Sequence, residues 1–381
     1  MLDTFGSCLR QGRTSFSRRT AIFTIGVEEE FHLVDPDTRE IAPDADRVLS
    51  EYDGDEVEAE LQASQVEVGT VVCETLADVR KDLIRLRREA AAAAGKVGKR
   101  IAASGTHPFS DWRGTQVFQR DAYIRLEEDY QQLTREQILS GCHVHVGIDD
   151  PDEAIEVMNR VRPWLPVVLA LSANSPFWLG ERTGYHSYRN RLWQRWPTAG
   201  IPGSFSSRAE YDALKEALLT TNSIDDPARI YWDVRPSNKF NTIEFRVADS
   251  CSNLDDSLLV AALVRAISET CYREMQTGSD STKIRDELIK SAIWRAARYG
   301  DSDTLIDPKK ERLVPAYELV SSMLEILRPV LEDRDEWNEV QGLVSQVRER
   351  GTGASRQLAL FERTGRMEDV VDLILDETAP D

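Results

Sequence analysis

The chain has 381 residues, 41% hydrophobic and 30% charged, a balance that gives a folded globular protein with a large core and excludes a disordered chain. Its formal net charge of −19, from 47 Lys and Arg against 66 Asp and Glu, argues against a sequence-independent grip on nucleic acid or on an anionic membrane. Five scattered cysteines (Cys8, Cys73, Cys142, Cys251, Cys271) without a CxxC pair argue against a disulfide framework or a structural zinc site, and favour a reducing cytoplasm.

Residues 1–20 mix Arg10, Arg13, Arg18 and Arg19 with Ser and Thr and lack an apolar signal core, so a flexible extension is expected there. A single unit is expected over 21–381, with no long linker inside it. Residues 22–34 read as a strand, Asp35-Pro36-Asp37 as a turn, and Ile41 as the start of a short second strand. A strand is expected within Glu58–Val72, a helix over Leu76–Ala94, a short strand over Ile101–Thr106 and helical character over Gln119–Ile138. His143–Ile148 alternates as a strand, Asp152–Trp164 reads as a helix stopped by Pro163, and Pro166–Leu171 continues helically. Ser172–Ser207 reads as a loop rich in aromatics, Gly, Pro and Arg, followed by a helix over Ser207–Leu219. Strands are expected at Ile230–Val234 and Thr242–Val247, then helices at 255–276, 281–299, 315–331, 334–349 and Met367–Leu375. The longest apolar stretch, Leu258–Val264, is too short to span a bilayer. Strands early and helices late predict an α+β fold with an antiparallel-rich sheet.

Polar pairs recur at i, i+2 on otherwise apolar strands: Glu28/Glu30, His143/His145 and Glu244/Arg246. Residues two apart share a strand face, so each pair projects together, whereas Glu29 points the other way. Paired carboxylates resist burial without a counter-charge, most simply a divalent cation. Glu67, between Val66 and Val68, has the same character. A triphosphate cannot approach bare carboxylates; divalent cations would invert the local sign, and Arg235 and Arg246 would then contact phosphoryl oxygens. Taken alone, the Glu run reads first as a solvated edge, the histidine pair as exposed or structural, and Glu244/Arg246 as an ordinary cross-strand ion pair; their co-occurrence on three strands favours a site. No GxxxxGK[ST], GxGxxG or GxSxG motif is present. A zinc or manganese hydrolase built on His143 and His145 remains as an alternative, as does a non-catalytic binding protein.

Taken in order, the segments Gly26–Phe31, Gly141–Ile148, Leu169–Trp178, Thr183–Arg189, Tyr231–Ser237, Thr242–Asp249 and Trp294–Gly300 resemble the YbdK-type carboxylate–amine ligases, the glutamate–cysteine ligase type 2 family. The resemblance implies a glutamine-synthetase-like fold, with a curved antiparallel sheet and helices packed behind it. It implies ATP, Mg²⁺ (or Mn²⁺), and small-molecule acid and amine substrates, by default the γ-carboxylate of glutamate and cysteine, joined through an acyl phosphate. Nucleic acid and membrane are not implied as partners, and a homo-oligomer is left open. Carried over, the metal ligands are Glu28, Glu30, Glu60, Glu67, His143 and Glu244. His145 and Arg246 would contact the nucleotide, Arg246 and Arg235 would be catalytic, and Arg189 and Arg235 would bind substrate. Departures from the family pattern fall at Lys290–Ile293, at His186 and in the loop Pro236–Asn241, which points to a specialised acid or amine.

Overall fold

The computed structural model describes residues 23–279 and 284–379; the extension expected over 1–20 lies outside them. The strands are β1 (Ile25–Val34), β2 (Val57–Ala59), β3 (Gln65–Gly69), β4 (Arg100–Ala102), β5 (Gly141–Gly147), β6 (Phe177–Trp178), β7 (Glu181–Arg182), β8 (Val234–Pro236), β9 (Thr242–Asp249), β10 (Thr304–Asp307) and β11 (Arg312–Pro315). The main sheet runs β2-β3-β1-β5-β9-β8, all antiparallel, with β4 on the end of β1. Two small hairpins, β6-β7 and β10-β11, stand apart.

β1 is the axis of this sheet. Val27, Phe31 and Leu33 are fully buried and enter the two large apolar clusters, while Glu28 and Glu30 alternate to the other face. The first cluster packs the sheet against helices Pro151–Val161, Leu165–Ser172 and Leu254–Gln276. The second packs β1–β3 against helices Leu76–Lys96 and Asp121–Tyr130. Leu76–Lys96 starts at a Thr75–Asp78 capping box, and its Val79, Leu83 and Leu86 are fully buried, each contributing about 1.5–3 kcal/mol by burial. The chain ends in helices Gly353–Thr364 and Met367–Thr378, packed by β4.

The α+β class and the helical layer hold, but the curvature expected of the sheet is corrected. The sheet is an open path whose end strands, β2 and β8, are not paired with each other. β2, β4 and β8 are three residues each, too short to carry the sheet round on itself.

Smaller differences have local causes. The strand expected within Glu58–Val72 is a hairpin, β2 and β3, turned where the Gln65 backbone N–H donates to Gln62 O. The loop expected over Ser172–Ser207 contains β6, β7 and helix Tyr188–Trp193, capped by the Ser187 hydroxyl. The strand expected at Ile230–Val234 starts instead at Val234, because the residues before it pair elsewhere: Trp232 bridges to Gly200, and the Asp233 backbone N–H donates to Gly200 O. Among the described residues, no helix is long and apolar enough to cross a membrane.

Candidate active site

The sheet register assembles the polar residues before any side-chain detail is considered. Glu30 lies opposite Glu67, Glu28 opposite His143, and Glu244 opposite both His145 and Arg235. Directly opposed residues share a face, so β3, β1, β5, β9 and β8 bring these groups to one surface. Glu60 joins from the turn after β2, where Tyr123 Oη donates to it at 3.3 Å. Arg189 arrives from helix Tyr188–Trp193. All the site residues expected from the sequence line one cavity of about 290 Å³.

Two halves differ in charge balance. On one side Glu244 is clamped: Arg235 Nε donates to Oε2 at 2.8 Å and Nη2 to Oε1 at 3.2 Å, and Arg246 Nη1 bonds Oε1 as well. Burial alone would raise the Glu244 carboxyl, but the two guanidinium groups hold it well below the usual carboxylate range. Arg235 also donates to the carbonyls of Ala228 and Ile230, so most of its protons are already engaged. On the other side Glu60 is pushed up to about 8, by burial first and by the Glu30 charge second. Glu67 is pushed well up by burial and by Glu28, Glu60 and Glu30. Among the described residues no Lys or Arg forms an ion pair with Glu60 or Glu67, and the Arg246 charge offsets the rise at Glu60 only in part.

His143 stands between the halves. Its Nδ1 is 3.5 Å from Glu28 and its Nε2 3.6 Å from Glu30. Burial and the nearby Arg246 charge lower its basicity, which favours the neutral imidazole that binds metals. His145 Nε2 is 3.4 Å from Glu28, and its Nδ1 is 2.9 Å from Thr242 Oγ1. The buried Nε2 atoms of His143 and His145 have no hydrogen-bond partner among the described residues.

Two sets of ligand atoms lie within 4.8 Å of one another: Glu28, His143 and Glu244, and Glu30, Glu67 and His143. Their carboxylate-rich chemistry, the uncompensated acids and the orphaned imidazole nitrogen fit a hard divalent cation. Glu60 lies outside both sets. Among the described residues, neither set holds both imidazoles, unlike the two-histidine site of a zinc hydrolase.

Sequence reasoning missed the far wall of the cavity, formed by Arg125, Leu126, Trp193, Trp196, Arg229 and Tyr231. Trp193, Trp196 and Tyr231 pack with ring centroids 5.2–6.2 Å apart. Guanidinium groups stand over Trp193 from Arg189 at 5.9 Å and Arg246 at 5.7 Å. The aromatic density of the Ser172–Ser207 segment was the available signal. Of the three departures from the family pattern, only the Pro236–Asn241 loop reaches the cavity, through Ser237, Asn238, Lys239 and Phe240.

The fold matches that of solved ligases. A bifunctional glutathione synthetase from Pasteurella multocida superposes with TM-score 0.72 at 16% identity, over 94% of this chain and 52% of that one. A glutamate–cysteine ligase from Francisella tularensis, solved with AMP, gives TM-score 0.68 at 12% identity, over 94% of this chain and 88% of that one. By sequence, residues 24–373 match the glutamate–cysteine ligase family 2 (GCS2), and the chain belongs to that family, whose members are carboxylate–amine ligases. A Frankia alni protein provisionally named glutamate–cysteine ligase 2-3 is 44% identical over 93% of this chain but only 41% of its own length. Another from the same organism, provisionally glutamate–cysteine ligase 2-2, is 43% identical over 93% of this chain and 97% of its own. The chain thus spans about two fifths of the length of the first relative and nearly all of the second.

Proposed function

We propose that this chain is an ATP-dependent ligase that joins a carboxylate to an amine. One observation carries the reading: a family-2 ligase chain places carboxylates, imidazoles and arginines together on one buried sheet face. The carboxylate oxygen attacks the γ-phosphorus of ATP, the bond to the β–γ bridging oxygen breaks, and ADP leaves with an acyl phosphate formed. The amine nitrogen, having lost one proton from its ammonium form, then attacks the acyl carbon, inorganic phosphate departs with the bonding electron pair, and the nitrogen gives up a second proton to leave the neutral amide.

The protein's part is positioning and charge. Glu28, Glu30, Glu67, His143 and Glu244 are the groups to hold Mg²⁺ or Mn²⁺, with Glu60 reinforcing the negative field beside Glu30. Bound there, a divalent cation neutralises phosphate charge and polarises the γ-phosphoryl group. Arg246 faces the same cavity and meets charge that moves onto the phosphoryl oxygens. Arg235 holds Glu244 and keeps one Nη2 proton for a phosphoryl or carboxylate oxygen. Arg189 is the substrate-binding arginine, and His145, fixed through Thr242, faces the nucleotide. Glutamate, through its γ-carboxylate, is the default acid and cysteine the default amine; the Pro236–Asn241 loop is where this chain would specialise. Residues 21–381 act as one catalytic unit, since the site draws on residues from Glu28 to Arg246. The cytoplasm, with its ATP and reduced cysteine, is the compartment this chemistry suits.

The test is an ADP-release matrix of amino acids crossed with amines, read by mass spectrometry for the amide. ADP should appear only with acid, amine and divalent cation together, and should fall by about 10²-fold or more in Glu30→Gln. Turnover that survives Glu30→Gln would overturn the metal assignment; hydrolysis without nucleotide would revive the hydrolase alternative.

A further inference from the structure

Parts of three motifs that mark the family have no role in the scheme above: Ser172–Ser175, Tyr185–Tyr188 and Val247–Asp249. They converge on one buried carboxylate. Asp249 is fully buried. Its Oδ2 accepts from Asn174 N at 2.8 Å and from Ser175 Oγ at 2.7 Å, and its Oδ1 accepts from Ser187 Oγ at 2.7 Å. Asn174 is itself held by the Gln357 side chain and by the carbonyls of Ala103 and Ser250.

Strand register puts this hub on the site's face. β5 and β9 slip by one residue between Cys142 and Val144, so that Asp249 falls opposite Gly141. Gly141, His143 and His145 share a face, and the bulge therefore turns Asp249 onto it. Arg189 lies directly over Gly141: a Cβ there would collide with the guanidinium and come within 3.1 Å of His143 Nε2. The backbone of Arg189 is fixed by the same hub, its N–H donating to Ser175 Oγ at 3.0 Å. Its guanidinium is less well satisfied. It is 4.0 Å from Asp249, makes 3.4 Å contacts to the Arg246 carbonyl, and has a buried Nε without a partner among the described residues.

We infer that Asp249 is a positioning residue: with Ser175 and Ser187 it holds Arg189 beside His143, as the receptor for an oxyanion, a carboxylate or phosphoryl group, of the substrate. This rests on the ligase reading and deepens it. A buried cation that its own protein leaves half-bonded is pre-set for an anionic ligand. The carboxylate behind it, 4.0 Å away, orients it without occupying the fork that faces the cavity.

The experiment compares wild type with Asp249→Asn, Arg189→Met and the double variant, with Ser187→Ala as a milder change that removes one donor to Asp249 Oδ1 and keeps both charged groups. Two readouts are used: steady-state ligation, and binding of ATP with Mg²⁺, pyrophosphate or glutamate followed through Trp193, under the Arg189 guanidinium, with Trp193→Phe identifying its signal. Asp249→Asn should raise KM for the anionic substrate about 10- to 100-fold with a smaller change in kcat, Ser187→Ala should shift it in the same direction, and Asp249→Asn should add nothing in the Arg189→Met background. Independent, multiplying losses would overturn the inference, as would normal KM and binding in both Asp249→Asn and Ser187→Ala. Should Asp249→Asn fail to fold, Ser187→Ala alone decides, by whether its effect vanishes in Arg189→Met. Wild type without ligation but with Trp193-reported binding lost in both variants would sink the ligase reading and leave the positioning role standing.

Discussion

At the residue scale, three consecutive glutamates have different fates because a strand alternates. Glu28 and Glu30 face the cavity, whereas Glu29 is fully buried on the helical side. There Arg87 grips it bidentately at 2.6 and 2.9 Å, Ser257 donates at 2.6 Å, and Arg87 also reaches the carbonyls of Cys251 and Ser252. Removing one partner leaves a buried charge, so Arg87→Met should cost about 3–5 kcal/mol by chemical denaturation, and Glu29→Leu added to it should recover much of that loss. His107 supplies a pH-dependent counterpart. Its Nδ1 accepts the backbone N–H of Ser110 at 3.0 Å, and burial, aided by His32, lowers its pKa from 6.5 to about 3. The unfolded chain therefore binds this proton first, and the stability due to neutral His107 is complete above pH 6.5 and is lost as pH falls toward about 3. His107→Asn, which keeps an acceptor without the basic group, should flatten the decline of denaturation free energy over that window; an unchanged slope would show that His107 does not drive it.

At the element scale, what was legible followed periodicity. β1, β5 and β9 each alternate apolar and polar residues, so their faces, and the site residues they carry, were readable from i, i+2 spacing. Glu60 and Glu67 were harder: they belong to a hairpin, and its turn is fixed by Gln62, whose amide donates to the Thr134 carbonyl 72 residues away. Helix Gly353–Thr364 was missed because its buried face is small, chiefly Gly353, Ala354 and Gln357, which leaves little apolar period to detect. The bulge that re-aims Asp249 was invisible too, since Val247-Ala248-Asp249 reads as ordinary strand. That the sheet stays open is set by three outer strands of three residues each, a matter of where pairing stops rather than of any motif.

At the scale of the whole molecule, net charge and site charge combine. A chain of net charge −19 repels itself in the folded state, and any salt relieves part of that by screening. The cavity adds a local effect, because Glu60 and Glu67 are raised by burial and by neighbouring carboxylates, which the Arg246 charge offsets at Glu60 only in part. Screening treats all exposed charge alike, whereas a bound divalent cation stabilises only the fold that assembles its ligands, by about 2.7 kcal/mol at 100 times Kd. Thermal unfolding in MgCl2 and in NaCl of equal ionic strength separates the two. Wild type should melt higher in MgCl2 by several degrees, and Glu30→Gln should keep the NaCl response while losing most of the magnesium increment. It should also melt no lower than wild type without metal, since one of the repelling carboxylates is gone. Equal melting of wild type in the two salts would mean that the acidic wall is not a cation site, and that its buried charge is tolerated by protonation of Glu60 and Glu67 alone.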